Sequence, residues 1–187
     1  KEKDRLFLSG NEAMAFGAVI QRLEMVLRVE QEIKRYINEL GNEGRLISMQ
    51  MEELVAGLDT ESVLLLKDYS RDPSDEKVKE IQSALRRLSS DELLDNHHIV
   101  RLLGYLSTNT IMDEPISPRG FRILSKIPRL PSLIISNLVE RFEFLPHILM
   151  ATIEELDEVD GIGEVRARAI KDGLKRFQQQ VFIDRHI

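Results

Sequence analysis

The chain has 187 residues, 42% hydrophobic, 31% charged and 5% aromatic, with no Cys and no Trp. That is enough to bury a core in one large or two small domains. Disulfides and Cys-based zinc sites are excluded, and no apolar stretch approaches the roughly 20 residues of a membrane span. The formal net charge of −6 argues at first against nucleic acid.

The distribution of charge changes that. Residues 1–118 carry 15 basic and 22 acidic side chains, a net of −7, while residues 119–187 carry 11 and 10, a net of +1. Within 161–187 there are six basic and three acidic residues, so a small basic face on an acidic body is the expectation. The absence of Cys fits a reducing cytoplasm. Residues Lys1-Glu2-Lys3-Asp4-Arg5 lack the apolar segment of a signal peptide. The chain does not begin with Met, and a fragment of a longer protein is expected. Period-2 alternation is missing throughout, so the fold class is all-α.

Asn11 to Leu40 reads as one long helix. Phe16, Val19, Leu23, Val26, Ile33, Ile37 and Leu40 follow a heptad pattern interrupted at Glu30, and Gly41 is the expected C-cap. Self-association through this linker helix and packing inside a bundle both explain the stripe. Met25, Val29 and Tyr36 widen the apolar face and favour the bundle. A second helix is predicted from Glu43 to Gly57, and a third capped by Thr60. Ser74 is expected to cap a fourth that runs to Leu88, and Ser89 with Glu92 has capping-box spacing. A short helix follows from His97 to Leu106. Ser107 to Gly120, with its prolines and small polar residues, reads as a linker. The predicted domains are therefore a helical bundle over 1–110 and a second helical domain over 119–187.

The second domain holds the clearest motif, Val159-Asp160-Gly161-Ile162-Gly163. Thr152 and Glu155 form a capping box that opens the helix before it. A short helix, a Gly-Ile-Gly turn and a second helix make a helix-hairpin-helix. Glycine admits positive φ and close approach of another backbone. Ile162 pins the turn to the core. The amides of Gly163 and Val165 open the next helix, where they lack intrahelical partners and the dipole favours an anion. Arg166, Arg168, Lys171 and Lys175 add a basic surface. Binding to phosphate, independent of base sequence, is expected. A second, degenerate unit lies upstream: Ile127 aligns with Val159, Arg129 with Gly161, Leu130 with Ile162 and Pro131 with Gly163. Pro131 removes one amide donor, and Arg122, Lys126 and Arg129 could compensate with side chains. Two such units form a tandem helix-hairpin-helix domain with pseudo-twofold symmetry, suited to gripping both strands of a duplex.

Gly-Ile-Gly turns also occur in purely structural modules, some of which bind proteins, and Asp160 and Glu164 would repel phosphate. His97, His98, His147 and His186 lack metal-ligand spacing, and the carboxylates Glu154 to Asp160 read as a solvated face. Catalytic triads, Walker loops and Cys nucleophiles are absent. No catalytic residue and no metal site is predicted.

Several strings carry a resemblance: Leu23-Glu24-Met25-Val26-Leu27-Arg28-Val29, Tyr36-Ile37-Asn38-Glu39-Leu40-Gly41, Leu66-Lys67-Asp68-Tyr69, Arg101-Leu102-Leu103-Gly104-Tyr105, Pro118-Arg119-Gly120-Phe121-Arg122-Ile123-Leu124, Lys126-Ile127-Pro128-Arg129-Leu130-Pro131, and Glu155 through Ala167. Together they resemble the bacterial DNA integrity scanning family over nearly the whole chain. The resemblance implies three parts: an N-terminal diadenylate cyclase domain, a helical linker and a C-terminal tandem helix-hairpin-helix domain. It further implies an octameric assembly, cyclic di-AMP made from two ATP with a divalent metal, and suppression by branched DNA. The family's cyclase motifs, Asp-Gly-Ala and Arg-His-Arg, do not occur here. ATP and metal thus belong to a cyclase domain this chain lacks. The expected partner is DNA, branched or duplex, and not a membrane.

Overall fold

Residues 11–40, 42–105 and 115–184 are described by the computed structural model. The architecture is all-α, apart from a two-residue antiparallel pair between β1 (Asn11–Glu12) and β2 (Pro115–Ile116). Helix α1 (Ala13–Leu40) leads into α2 (Asn42–Val55), α3 (Leu58–Tyr69), α4 (Asp75–Arg87), α5 (Ser90–Leu94) and α6 (Asn96–Leu102). After β2 come α7 (Phe121–Ser125), α8 (Ser132–Phe142), α9 (Leu145–Met150), α10 (Ile153–Asp157) and α11 (Glu164–Asp184). Gly41 and the stretch 107–114 of the expected linker lie outside the described residues.

Local signals place several helix starts. Ser74 accepts from the Lys77 amide and opens α4, and Ser89 with Glu92 forms a complete capping box on α5. The third helix differs from expectation. It begins at Leu58 behind Gly57, whose φ of 79° turns the chain sharply, and Thr60 sits inside its first turn. Asp95 caps α6 by accepting from the His97 amide.

One apolar cluster is built from Phe16, Ile20, Leu65, Leu66, Tyr69, Ile81, Leu85, Leu93, Ile99 and their neighbours. Phe16 stacks on Tyr69 with ring centroids 5.2 Å apart, and the Tyr105 hydroxyl donates to the Tyr69 carbonyl at 2.7 Å. Along α1, Phe16, Ile20 and Leu23 are buried, while Val26, Met25, Val29 and Tyr36 are exposed. The widened apolar face predicted for these last residues is therefore left uncovered. Beyond Leu23 this helix runs out of the core and lies alongside α2.

A second cluster joins Phe121, Leu124, Ile127, Ile134, Leu138, Ile148, Leu156, Ile162, Ala167, Ile170 and Leu174. Leu64 of α3 packs against it from the first half. The halves also exchange helix caps. Asp68, near the end of α3 and 2% exposed, accepts from the amides of Gly120 (2.8 Å), Phe121 (2.6 Å) and Arg122 (3.3 Å) at the start of α7. Arg119 donates back to the carbonyls of Lys67, Asp68 and Ser70 through Nη1 and of Arg71 through Nη2. Each side supplies what the other helix end cannot satisfy by itself.

Burial pushes the Asp68 carboxyl up to about 6, although the three amides and the nearby Arg122 pull it down. The folded chain thus holds this proton more tightly than the unfolded chain. The associated stability is fully present below the ordinary carboxylate range and is lost as pH rises through about 6. Asp68→Asn removes the titration. The stability of the wild type relative to this variant is expected to fall as pH rises from about 4 to about 7, then level off. Urea midpoints across that range, read separately on each half, measure it. A flat difference would contradict the burial of this charge.

Candidate nucleic-acid interface

The two turns of the second half repeat one another 32 positions apart. The Ile127 amide donates to Leu124 O and the Leu130 amide to Ile127 O. The Val159 amide donates to Leu156 O and the Ile162 amide to Val159 O in the same way. The following helices open alike, with Ile135 donating to Pro131 O and Ala167 to Gly163 O. At the aligned positions both backbones are left-handed, Arg129 at φ 60° and Gly161 at φ 78°.

Each turn rests on the long helix of the other unit. Ile134 of α8 lies under Gly161, where an added Cβ would sit 2.5 Å from its Cδ1, and Asn137 Nδ2 donates to the Asp160 carbonyl. Reciprocally, Ile127 fills the space beside Gly173 of α11, 3.0 Å from where a Cβ would stand. Thr152 and Glu155 form a complete capping box that sets the entry of α10 into its turn. This packing brings both turns to one cleft of about 570 Å3, lined by Arg129, Leu130, Gly163, Glu164, Val165 and Arg166 among others.

The two glycines of the second turn are not equivalent. Gly161 needs its positive φ and has no room for a side chain. Gly163 has neither constraint: its φ is outside the left-handed region and nothing lies within 4 Å of an added Cβ. As the residue before α11 it also forgoes the side-chain cap that Ser or Asp would provide. The fold gives no reason for glycine at this position.

The predicted site residues separate into four groups. Gly163, Val165, Arg166 and Arg129 line the cleft, while Gly161 is exposed on the turn outside it and Ile162 is buried as the anchor of the turn. Arg166 donates to the Gly161 carbonyl and so bends back over the turn. Lys126 is exposed at the end of α7, and Arg168 is exposed but paired with Glu164 at 2.6 Å. Lys171 is half-buried, with Nζ donating to the carbonyls of Leu149 and Ala151 at the end of α9. Arg122 lies elsewhere. It is 3% exposed, and Nε and Nη2 both donate to Glu61 Oε2 at 3.2 Å, while its amide serves Asp68. A guanidinium held there cannot reach a ligand at the surface, so its assignment to the phosphate surface is corrected.

Among the described residues no group of His, Asp and Glu is arranged to hold a metal ion, and no helix is long and apolar enough to cross a membrane.

Comparisons with known proteins bear on both halves. Residues 15–112 match the family described as the DisA bacterial checkpoint controller linker region. The chain is 56% identical over 161 residues to the DNA integrity scanning protein DisA of Carboxydothermus hydrogenoformans, covering 86% of this chain and 46% of that protein. It is 52% identical over 166 residues to the protein of that name from Acetivibrio thermocellus, covering 89% and 46%. The corresponding match in Clostridioides difficile is 49% over 169 residues, covering 90% and 47%. The chain spans about half the length of the curated relatives it matches.

Two substitutions test the turn geometry by thermal or urea unfolding. Arg129→Gly is expected to stabilise the fold by up to about 1 kcal/mol, because the left-handed conformation costs an L-residue ~1–2 kcal/mol and glycine gives part of that back in unfolded-chain entropy. Gly161→Ala is expected to destabilise by about 1–2 kcal/mol, from the strained φ and the displaced Ile134. Opposite signs at aligned positions are the signature sought. Loss of stability from Arg129→Gly would refute it.

Proposed function

The chain belongs to the DisA family, and from that premise we propose that its second half is a tandem helix-hairpin-helix domain, residues 119–187, that binds the DNA backbone without reading sequence. In this reading residues 1–110 form the linker that joins it to a cyclase domain outside this chain. Branched DNA and junctions are the preferred ligands, and the setting is the cytoplasm. Synthesis of cyclic di-AMP from ATP, with its divalent metal, belongs to that other domain. This chain is the sensing part and not the enzyme.

The observation that carries this reading is Gly163. An exposed glycine with no conformational need and open space around it leaves room for a bulky anion to approach the backbone. The first amides of α11 point out of the helix start there, where the dipole favours negative charge. Arg166 and Arg129 line the cleft with positive charge, and Lys126 is exposed on the same unit as Arg129. The first turn offers Pro131 at the aligned place, one amide fewer, and a guanidinium two residues earlier. Phosphate would thus be held by backbone amides at one turn and by a side chain at the other. Glu164 takes up Arg168 and keeps single-site affinity modest. Several copies on one assembly would then select branched DNA through avidity.

A second reading has its own observation. Val26, Val29, Tyr36, Leu46, Met49 and Leu54 are exposed on α1 and α2. Exposed apolar residues gathered on two neighbouring helices are the kind of surface that a partner copy could cover. Here the linker would act as an assembly spine and the hairpins as packing units. Sedimentation that finds a monomer at high concentration removes this reading.

The test of the first is a titration of the chain against linear duplex and a four-way junction at two salt concentrations. Affinity is expected to fall steeply with salt and to be higher for the junction. Gly163→Leu is expected to weaken binding about tenfold or more, ~1.4 kcal/mol, with an unchanged melting temperature. A variant that binds junctions like the wild type would remove the hairpin reading.

A further inference from the structure

The joint between the halves is built more heavily than a tether needs. Asp68 offers both carboxylate oxygens to the three amides that open α7, and it does so while 2% exposed. Burying a carboxylate costs several kcal/mol of hydration, which only close and complete hydrogen bonding offsets. Arg119 sends one guanidinium to four carbonyls around the end of α3, at 3.2 Å to Lys67, 3.3 Å to Asp68, 2.5 Å to Ser70 and 3.0 Å to Arg71. Its amide makes a further bond to the Asp68 carbonyl. Glu61, two turns earlier on α3, takes the Arg122 side chain. The amide of Leu145, which opens α9, donates to the Pro118 carbonyl and draws the crossing strand into the second core.

This lattice has a direction. Helix α7 ends at Ser125, and the first turn begins two residues later at Ile127. Ile127 lies on Gly173 of α11, and α11 starts in the cleft. From Asp68 to Arg129, carboxylate, helix start, helix and turn follow one another through hydrogen bonds and packed side chains.

We propose that Asp68, with Arg119 and the Arg122–Glu61 pair, is a positioning clamp that makes the hairpin half and the linker bundle move as one body. An event at the hairpin surface is then delivered to α3 as a rigid displacement and needs no separate conformational switch. The delivery of a DNA signal rests on the function proposed above, whereas the rigidity of the joint does not.

Segment-resolved amide hydrogen exchange on the full chain separates the two. In increasing urea without DNA, the slowest amides of α3–α6 and of α8–α11 are expected to open together in the wild type. In Asp68→Ala they are expected to open at different urea concentrations. Asp68→Asn keeps one acceptor oxygen, serves if the alanine chain fails to fold, and is expected to split the transition partly. With a saturating four-way junction, wild-type exchange is expected to slow about tenfold in α3 as well as in α8–α11. In Asp68→Ala the slowing is expected in α8–α11 alone, a pattern that a loss of stability would not produce. Wild-type halves that open separately, or Asp68 variants whose halves still open together and are both protected by DNA, would overturn the clamp. Absence of DNA protection everywhere, with cooperative opening intact, would overturn the DNA reading and leave the clamp standing.

Discussion

The architecture depends on one buried carboxylate. Asp68 lies where α3 ends, and without the amides of Gly120, Phe121 and Arg122 it would be an unpaired charge in an apolar setting. Those amides in turn would be unsatisfied donors at the start of α7, because a five-residue helix can satisfy few of its own. The exchange fixes where α7 begins. Through α7 it fixes the first turn, through Ile127 the face of α11, and through Ile134 the second turn. Displacing the carboxylate therefore disturbs the start of α7 and the turns that follow from it, which a surface ion pair such as Lys77 with Glu80 could not do.

Downstream of that joint, a single turn has been made twice by different chemical means. The hydrogen-bond pattern is shared, and so is the left-handed residue, yet one copy uses glycine and the other accepts strain at Arg129. Strain of this kind persists only where surrounding packing over-determines it. The bracing of each turn by the helix of its partner unit supplies that packing.

Much of this was legible residue by residue. The capping boxes at Ser89 and Thr152 depend on partners three positions away, and Gly161 sits in a short pattern of small and apolar residues. These are local features and they read directly. The tandem relation was visible as well, because Ile127 and Leu130 match Val159 and Ile162 in type and order. Arg122 was not legible. Its partners Glu61 and Asp68 lie 61 and 54 positions earlier, and a basic residue beside a hairpin looks like a phosphate ligand until the fold closes around it. The two glycines were indistinguishable by type, since only the position of Ile134 in the fold separates a constrained position from an open one. Periodicity along α1 announced an apolar stripe but carried no information on what would cover it. Phe16 and Leu23 are enclosed, whereas Val29 and Tyr36 are not.

The inequality of the two turns has a consequence for orientation. A body with two identical halves related by a twofold axis cannot tell one end of a duplex from the other, because turning the duplex around restores the same contacts. Here one half presents Gly161 and Gly163 and the other Arg129 and Pro131. That asymmetry lies in the protein alone: a uniform duplex is carried onto itself by its own dyads, so in the reading proposed above turning it around would restore the same backbone contacts. Only a feature that breaks the duplex's own symmetry within reach of the turns, such as a branch, would make the two placements unequal.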